Sequence, residues 1–168
     1  MKKMSLIIGL ILILIVTVPV FAVDEDYHFG IQMLQESISK ADGISGGSYL
    51  SLGAAFSFNP KFTINVKYAW NTAPESFSDH LISLEPQYTF GKPGSPLNSN
   101  LSLVYLKNMD QTDSAYYGLR WCPISSGRYT FTQNAKMTIE LFPVGYLYNA
   151  DTRRYVRTFE FVSFTTYF

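Results

Sequence analysis

Two histidines, one cysteine and a scatter of serines are the raw material for any nucleophile or metal site in this 168-residue chain. A serine activated by a histidine on the same strand must lie two residues away, because successive side chains point to opposite faces. His80 and Ser83 are three apart, and two residues after His28 stands Gly30, so neither histidine has a same-face serine two residues after it. Ser78, Asp79 and His80 are adjacent, but with no second element behind them they read as a polar loop. Cys122 has no partner for a disulfide and no ligand at zinc spacing, and no phosphate loop occurs, so no metal and no cofactor are expected. What remains is a set of charges on alternating segments: Lys67, Glu85, Arg120, Glu140 and, less regularly, Arg157. They are few and of both signs, so they read as an ion-paired network rather than a binding patch.

The elements that would position these residues are strands. In FTINVKYAW, Phe62, Ile64, Val66, Tyr68 and Trp70 alternate without a break with Thr63, Asn65, Lys67 and Ala69. That period of two separates the faces of a sheet. About eight segments of this kind can be traced: 27–37, 48–58, 62–70, 80–90, 101–107, 115–123, 135–149 and 155–168. The first could instead continue as a short helix through MLQESI. Asn59-Pro60-Lys61 predicts a tight hairpin turn. Pro86 would demote its segment in an ordinary sheet, and Pro143 predicts a bulge or bend. With no helical period, repeat or linker, residues 23–168 read as one all-β domain.

The start, MKKMSLIIGLILILIVTVPVFA, combines two lysines, an apolar run and a small-residue site before an acidic VDED, the pattern of a secretory signal peptide over residues 1–22. The chain carries 13 Lys and Arg against 13 Asp and Glu, and no basic patch suggests nucleic acid. Aromatic residues make up 16%, while charged residues make up only 15%, well under the roughly 25% usual for soluble domains. No later apolar run is long enough for a membrane helix. An exported, aromatic-rich, charge-poor β chain is therefore a candidate for a membrane barrel, with a lipocalin-like soluble barrel as the alternative.

Three features favour lipid outside. The polar face carries small residues such as Ser51, Gly53, Ser57, Thr63, Ser83 and Gly118, which suit a narrow interior better than a solvated surface. Phe56, Phe58, Tyr68, Trp70, Tyr88, Phe90 and Trp121 gather at segment ends, where two interfacial belts would hold them. The last strand, FVSFTTYF, has Phe164 and a terminal Phe168 at alternating positions. Export signal, architecture and this ending together resemble the small outer-membrane β-barrel proteins of the OmpA, OmpX and OmpW kind. The resemblance implies an antiparallel up-and-down transmembrane barrel of about eight strands with both ends in the periplasm. It further implies partners among outer-membrane lipids and, through Phe164 and Phe168, the barrel-assembly machinery. Glu160 and Thr166 depart from the usual ending.

The expected function is a structural or surface-interaction role in the outer membrane of a diderm bacterium, without catalysis, the lumen plugged by polar side chains. A small pore or hydrophobe conduit and a lipid-modifying enzyme are the alternatives, beside the soluble binding barrel. The surface ligand stays open.

Overall fold

The computed structural model describes residues 29–40, 46–72, 79–92, 95, 97–110, 115–126, 129–132 and 135–167. The signal segment, Ser78 and Phe168 therefore lie outside the described residues. Ten strands form one sheet: β1 (Phe29–Lys40), β2 (Gly46–Asn59), β3 (Phe62–Asn71), β4 (His80–Phe90), β5 (Asn98–Asn108), β6 (Ala115–Ser125), β7 (Tyr129–Thr132), β8 (Ala135–Leu141), β9 (Val144–Asn149) and β10 (Arg154–Tyr167). Neighbours pair antiparallel, and β1 pairs with β10, from Gly30 opposite Tyr167 to Lys40 opposite Val156, which closes the sheet on itself. β8 and β9 are two halves of one wall strand, both lying between β6 and β10, and β7 is a short hairpin arm on β8. The wall is thus an eight-stranded antiparallel barrel.

Alternation decides which side chains point in. Along β4, Leu81, Ser83, Glu85 and Gln87 are buried while the residues between them are more exposed. β1 does the same through Gln32, Leu34, Glu36 and Ile38, so MLQESI is strand and not helix. One side of the barrel, the turn end, carries the tight turn at Asn59, whose Oδ1 accepts hydrogen bonds from the backbone N–H groups of Lys61 (2.8 Å) and Phe62 (2.9 Å). Both β1 and β10 have their free termini at this end. The opposite side, the loop end, carries the connections after β1, β3, β5 and β9.

Pro86 does sit in a wall strand, and the register accounts for it. Ile64 pairs with Pro86 on the β3 side, whereas the β4–β5 ladder passes from Leu84 opposite Tyr105 to Gln87 opposite Ser102 without the two pairs between. The missing donor falls in that gap.

Three adjacent wall strands each carry one extra residue at the same height. Inward positions normally recur every second residue, but Cys122 is followed by Ser125, Glu140 by Pro143, and Glu160 by Ser163. Ile124 pairs with Leu141, and Leu141 with Val162, so β6, β8–β9 and β10 keep register with one another. The slip appears at their borders, where Gln35 of β1 faces both Phe161 and Val162, and Ser99 of β5 faces both Pro123 and Ile124. These are β-bulges, and they re-aim every side chain beyond them. Phe142 adopts φ 57° at the centre, an unusual backbone for a bulky residue, with its ring edge-on to Phe161 at 5.4 Å.

Gly118 marks the tightest approach between β6 and β9: a Cβ there would run into the carbonyl oxygen of Tyr146 and into Leu147. Gly118→Val is therefore expected to lower unfolding stability in detergent micelles by about 1–3 kcal/mol. Ala54→Val, which adds bulk on the outward side of β2, should leave the urea midpoint nearly unchanged. Equal midpoints for the two variants would contradict this packing.

Candidate functional site

The barrel interior is organised in layers along its axis. At mid-height, Arg120 of β6 reaches across the lumen: Nη1 donates to Glu85 Oε1 at 2.7 Å and Oε2 at 2.8 Å and lies 2.6 Å from Glu160 Oε1, while Nη2 pairs with Glu36. Lys67 of β3 completes the group, with Nζ 2.9 Å from Glu85 Oε2 and 3.2 Å from Glu160 Oε1. Thr158 Oγ1 accepts from the guanidinium, and Ser83 Oγ donates to Glu85 at 2.8 Å. Five strands are joined by two cations and three carboxylates, all almost fully buried. Charges in such surroundings persist only when paired, and bidentate Arg–carboxylate contacts are the strongest form of that pairing.

Below this layer, toward the turn end, the interior is amide and hydroxyl. Glu140 accepts from Gln87 Nε2 at 2.5 Å and from Asn100 Nδ2, Asn65 donates to Gln87, and Gln32 donates to Ser163 at 2.8 Å. Glu140, Gln87, Asn100 and Asn65 floor a polar cavity of about 70 Å³ that also touches Lys61, Asn98, Thr138 and Tyr167. Above the ionic layer the lining changes character. Ile38, Tyr49, Leu81, Leu106, Tyr116, Leu147 and Val156 form a buried apolar cluster at the loop end. The interior is therefore not polar throughout, as the small residues of β2 and β3 suggested.

The residues singled out in the sequence fall into three groups. Lys67, Glu85 and Arg120 meet in one cluster. Glu140 also faces inward but belongs to the amide layer, hydrogen-bonded to neutral partners. Arg157 does not enter the lumen: it is exposed on the outer wall, opposite Ser39 of β1 and Tyr146 of β9. Counting back by twos from Phe164 puts Arg157 inside, but the bulge at Phe161–Val162 reverses the parity, turning Arg157 out and Glu160 in. Glu160 and Glu36 were thus missed as members of the cluster. Glu36 was readable in principle, since it lies four residues after the inward Gln32.

The aromatic residues expected in the interfacial belts, Phe56, Phe58, Tyr68, Trp70, Tyr88, Phe90 and Trp121, stand on the outer wall. Phe62, Tyr88, Leu101, Trp121, Val144 and Phe159 follow one another in register around six strands, from the turn end at Phe62 to the level of the buried ions at Phe159, with Phe56, Phe58, Phe90 and Phe164 on the same outer side. Tyr68, Trp70 and a tyrosine row of Tyr105, Tyr117, Tyr148 and Tyr155 occupy the loop-end half. His80 stacks on Tyr68 (5.8 Å) and its Nδ1 lies 2.7 Å from the tyrosine hydroxyl, while the backbone N–H groups of Asp79 and His80 donate to Asp110. Cys122 Sγ is 3.1 Å from the Ile124 carbonyl, inside the β6 bulge.

An antiparallel eight-stranded wall, an outer band of aromatic and aliphatic side chains and a packed narrow interior define the fold of small outer-membrane barrels. Among solved structures the chain is similar to Neisserial surface protein A, NspA, with 18% identity, 85% of this chain and 97% of that one covered, and a TM-score of 0.52. It is also similar to the N-terminal β-barrel domain of Pseudomonas aeruginosa OprF (15% identity, 83% and 99% covered, TM-score 0.48). The outer membrane protein OprG of the same organism follows (13% identity, 84% and 96% covered, TM-score 0.40). Comparison with protein-family profiles gives no match, and comparison with curated sequences gives none. At these identities the likeness is one of fold.

Removing Arg120 would leave three buried carboxylates facing Lys67 alone. Arg120→Met should therefore cost about 3–5 kcal/mol or prevent folding. Glu140→Gln, which removes a charge that makes no direct ion pair among the described residues, should change stability by no more than about 1 kcal/mol. Urea titration of both variants in micelles, with wild type alongside, checks this; a larger loss for Glu140→Gln would reverse the assignment.

Proposed function

We propose that the protein is an integral outer-membrane β-barrel with a structural or surface-interaction role, its lumen closed to ions and its surface without catalysis. The observation that carries this reading is the filling of the lumen. Ion pairs cross it at mid-height, and an apolar cluster stands above them, so the polar cavity at the turn end is a blind vestibule. Eight strands leave a bore that side chains can fill.

The outer wall supports lipid contact. Trp121 (52% exposed), Leu103 (60%) and Phe161 (64%) belong to a band that in water would be an aggregation liability, whereas lipid matches it. A lipocalin-like binding barrel would point this band inward. Among the described residues His80 stacks on Tyr68, an arrangement that gives no support to a lipid-modifying enzyme. Residues 1–22 would direct export, and Phe164 with Phe168 would present the C-terminal strand to the barrel-assembly machinery.

Two measurements test the proposal. The protein from isolated outer membranes should migrate differently on gels when boiled and unboiled, as a detergent-resistant barrel does. In planar bilayers it should give no steady conductance steps. Discrete, ion-selective steps would replace the structural role by the small-pore alternative, and recovery from the soluble periplasm would turn the barrel's oily face into a ligand-pocket wall.

A further inference from the structure

On the outer wall, polar side chains gather beside the closing seam, while Lys107 of β5 and His80 of β4 stand apart from it at the loop end. On β1 the outward side chains run Phe29, Ile31 and Met33 from the turn end, then change to Gln35, Ser37 and Ser39. Across the ladders Arg157 faces Ser39, Ser48 of β2 faces Ser37, and Gln35 Nε2 reaches Ser48 Oγ at 3.4 Å. These five polar side chains make one continuous patch. It begins level with the buried ions, because Glu36 lies between Gln35 and Ser37 on the strand and pairs with Arg120, and it extends toward the loop end. Aromatic side chains of Tyr155 and Phe159 flank Arg157 on its own strand.

A cation on a lipid-facing wall needs an anion, and its long stem lets the guanidinium reach toward the interface. Among the described residues no carboxylate is ion-paired with Arg157: Glu36, Glu85, Glu140 and Glu160 face the lumen, Asp79 and Asp110 sit at the loop end beside β4 and β5, and Asp151 lies in the turn between β9 and β10. A second copy docked here about a two-fold axis would set Arg157 against Arg157 with the same shortage of acid. A lipid phosphate meets the need: Arg gives it a two-pronged donor, and the hydroxyls and amide beside it suit phosphate and sugar oxygens. Met33, Phe159 and Phe161 would then carry the acyl chains.

We propose that Arg157, Ser39, Ser37, Ser48 and Gln35 form a binding site for the phosphorylated sugar head group of an outer-leaflet glycolipid. The proposal rests on the outer-membrane reading with the loop end outward. The test is native mass spectrometry of the detergent-solubilised barrel with diphosphorylated lipid A. Dephosphorylated lipid A and phosphatidylglycerol serve as comparison probes, and Arg157→Gln and Lys107→Gln as variants whose barrels are first verified by heat-shifted mobility. Wild type and Lys107→Gln should each retain one lipid A, and Arg157→Gln should retain it about tenfold more weakly, as should wild type with the dephosphorylated form. Equal retention by Arg157→Gln overturns the site, as does equal retention of phosphatidylglycerol. Dimers that vanish with Arg157→Gln would give the patch to a second copy and likewise overturn it. A folded, lipid-inserted barrel that binds no lipid A defeats the site alone, whereas a chain that never inserts defeats the outer-membrane reading with it.

Discussion

Arg120 holds carboxylates from three other strands, and through Glu85 and Glu160 it shares them with Lys67 on a fourth. In a narrow interior each of these charges is expensive unless it is answered, and every answer comes from another strand. The strand geometry has to satisfy that demand. The bulge in β10 brings Glu160 inward while leaving Phe164 and Phe161 outward, and matching bulges in β6 and β8–β9 keep the ladder intact around it. Closure between β1 and β10 then places Glu36 beside the same guanidinium. Wall and filling are therefore coupled: neither the register nor the ion pairs stand without the other.

The lumen divides along the axis for a related reason. At the turn end Glu140, Gln87, Asn100 and Asn65 line a polar vestibule. At the loop end Tyr49, Leu81, Leu106 and Leu147 pack against one another in the manner of an ordinary protein core. The ionic layer lies between them. An interior filled in this way is what favours the proposal of a closed barrel over a channel.

Much of the wall was legible because period-two alternation is a strong signal. FTINVKYAW, HLISLEPQYTF and AYYGLRWCP each became a strand with the expected face outward, and Lys67, Glu85 and Arg120 followed from that parity. Parity fails where a residue is inserted, and nothing in TFEFVSFTT announces which residue is the extra one. Arg157 was consequently put inside and Glu160 overlooked. The apolar cap was hidden differently: Leu81, Tyr116 and Leu147 lie on inward positions, but their partners come from distant strands and only the closed ladder brings them together. The short arm β7 lay in what read as a plain connection.

The central claim is that the aromatic face of this barrel touches lipid. The chain has two tryptophans, Trp70 toward the loop end and Trp121 toward the turn end, both on the outer side. Each can be left as the sole tryptophan by Trp121→Phe or Trp70→Phe, and the protein reconstituted in vesicles whose acyl chains carry bromine. The account predicts that bromine quenches both fluorophores strongly and that aqueous iodide quenches neither to a comparable degree. Quenching of both by iodide, with no response to brominated lipid, would contradict it.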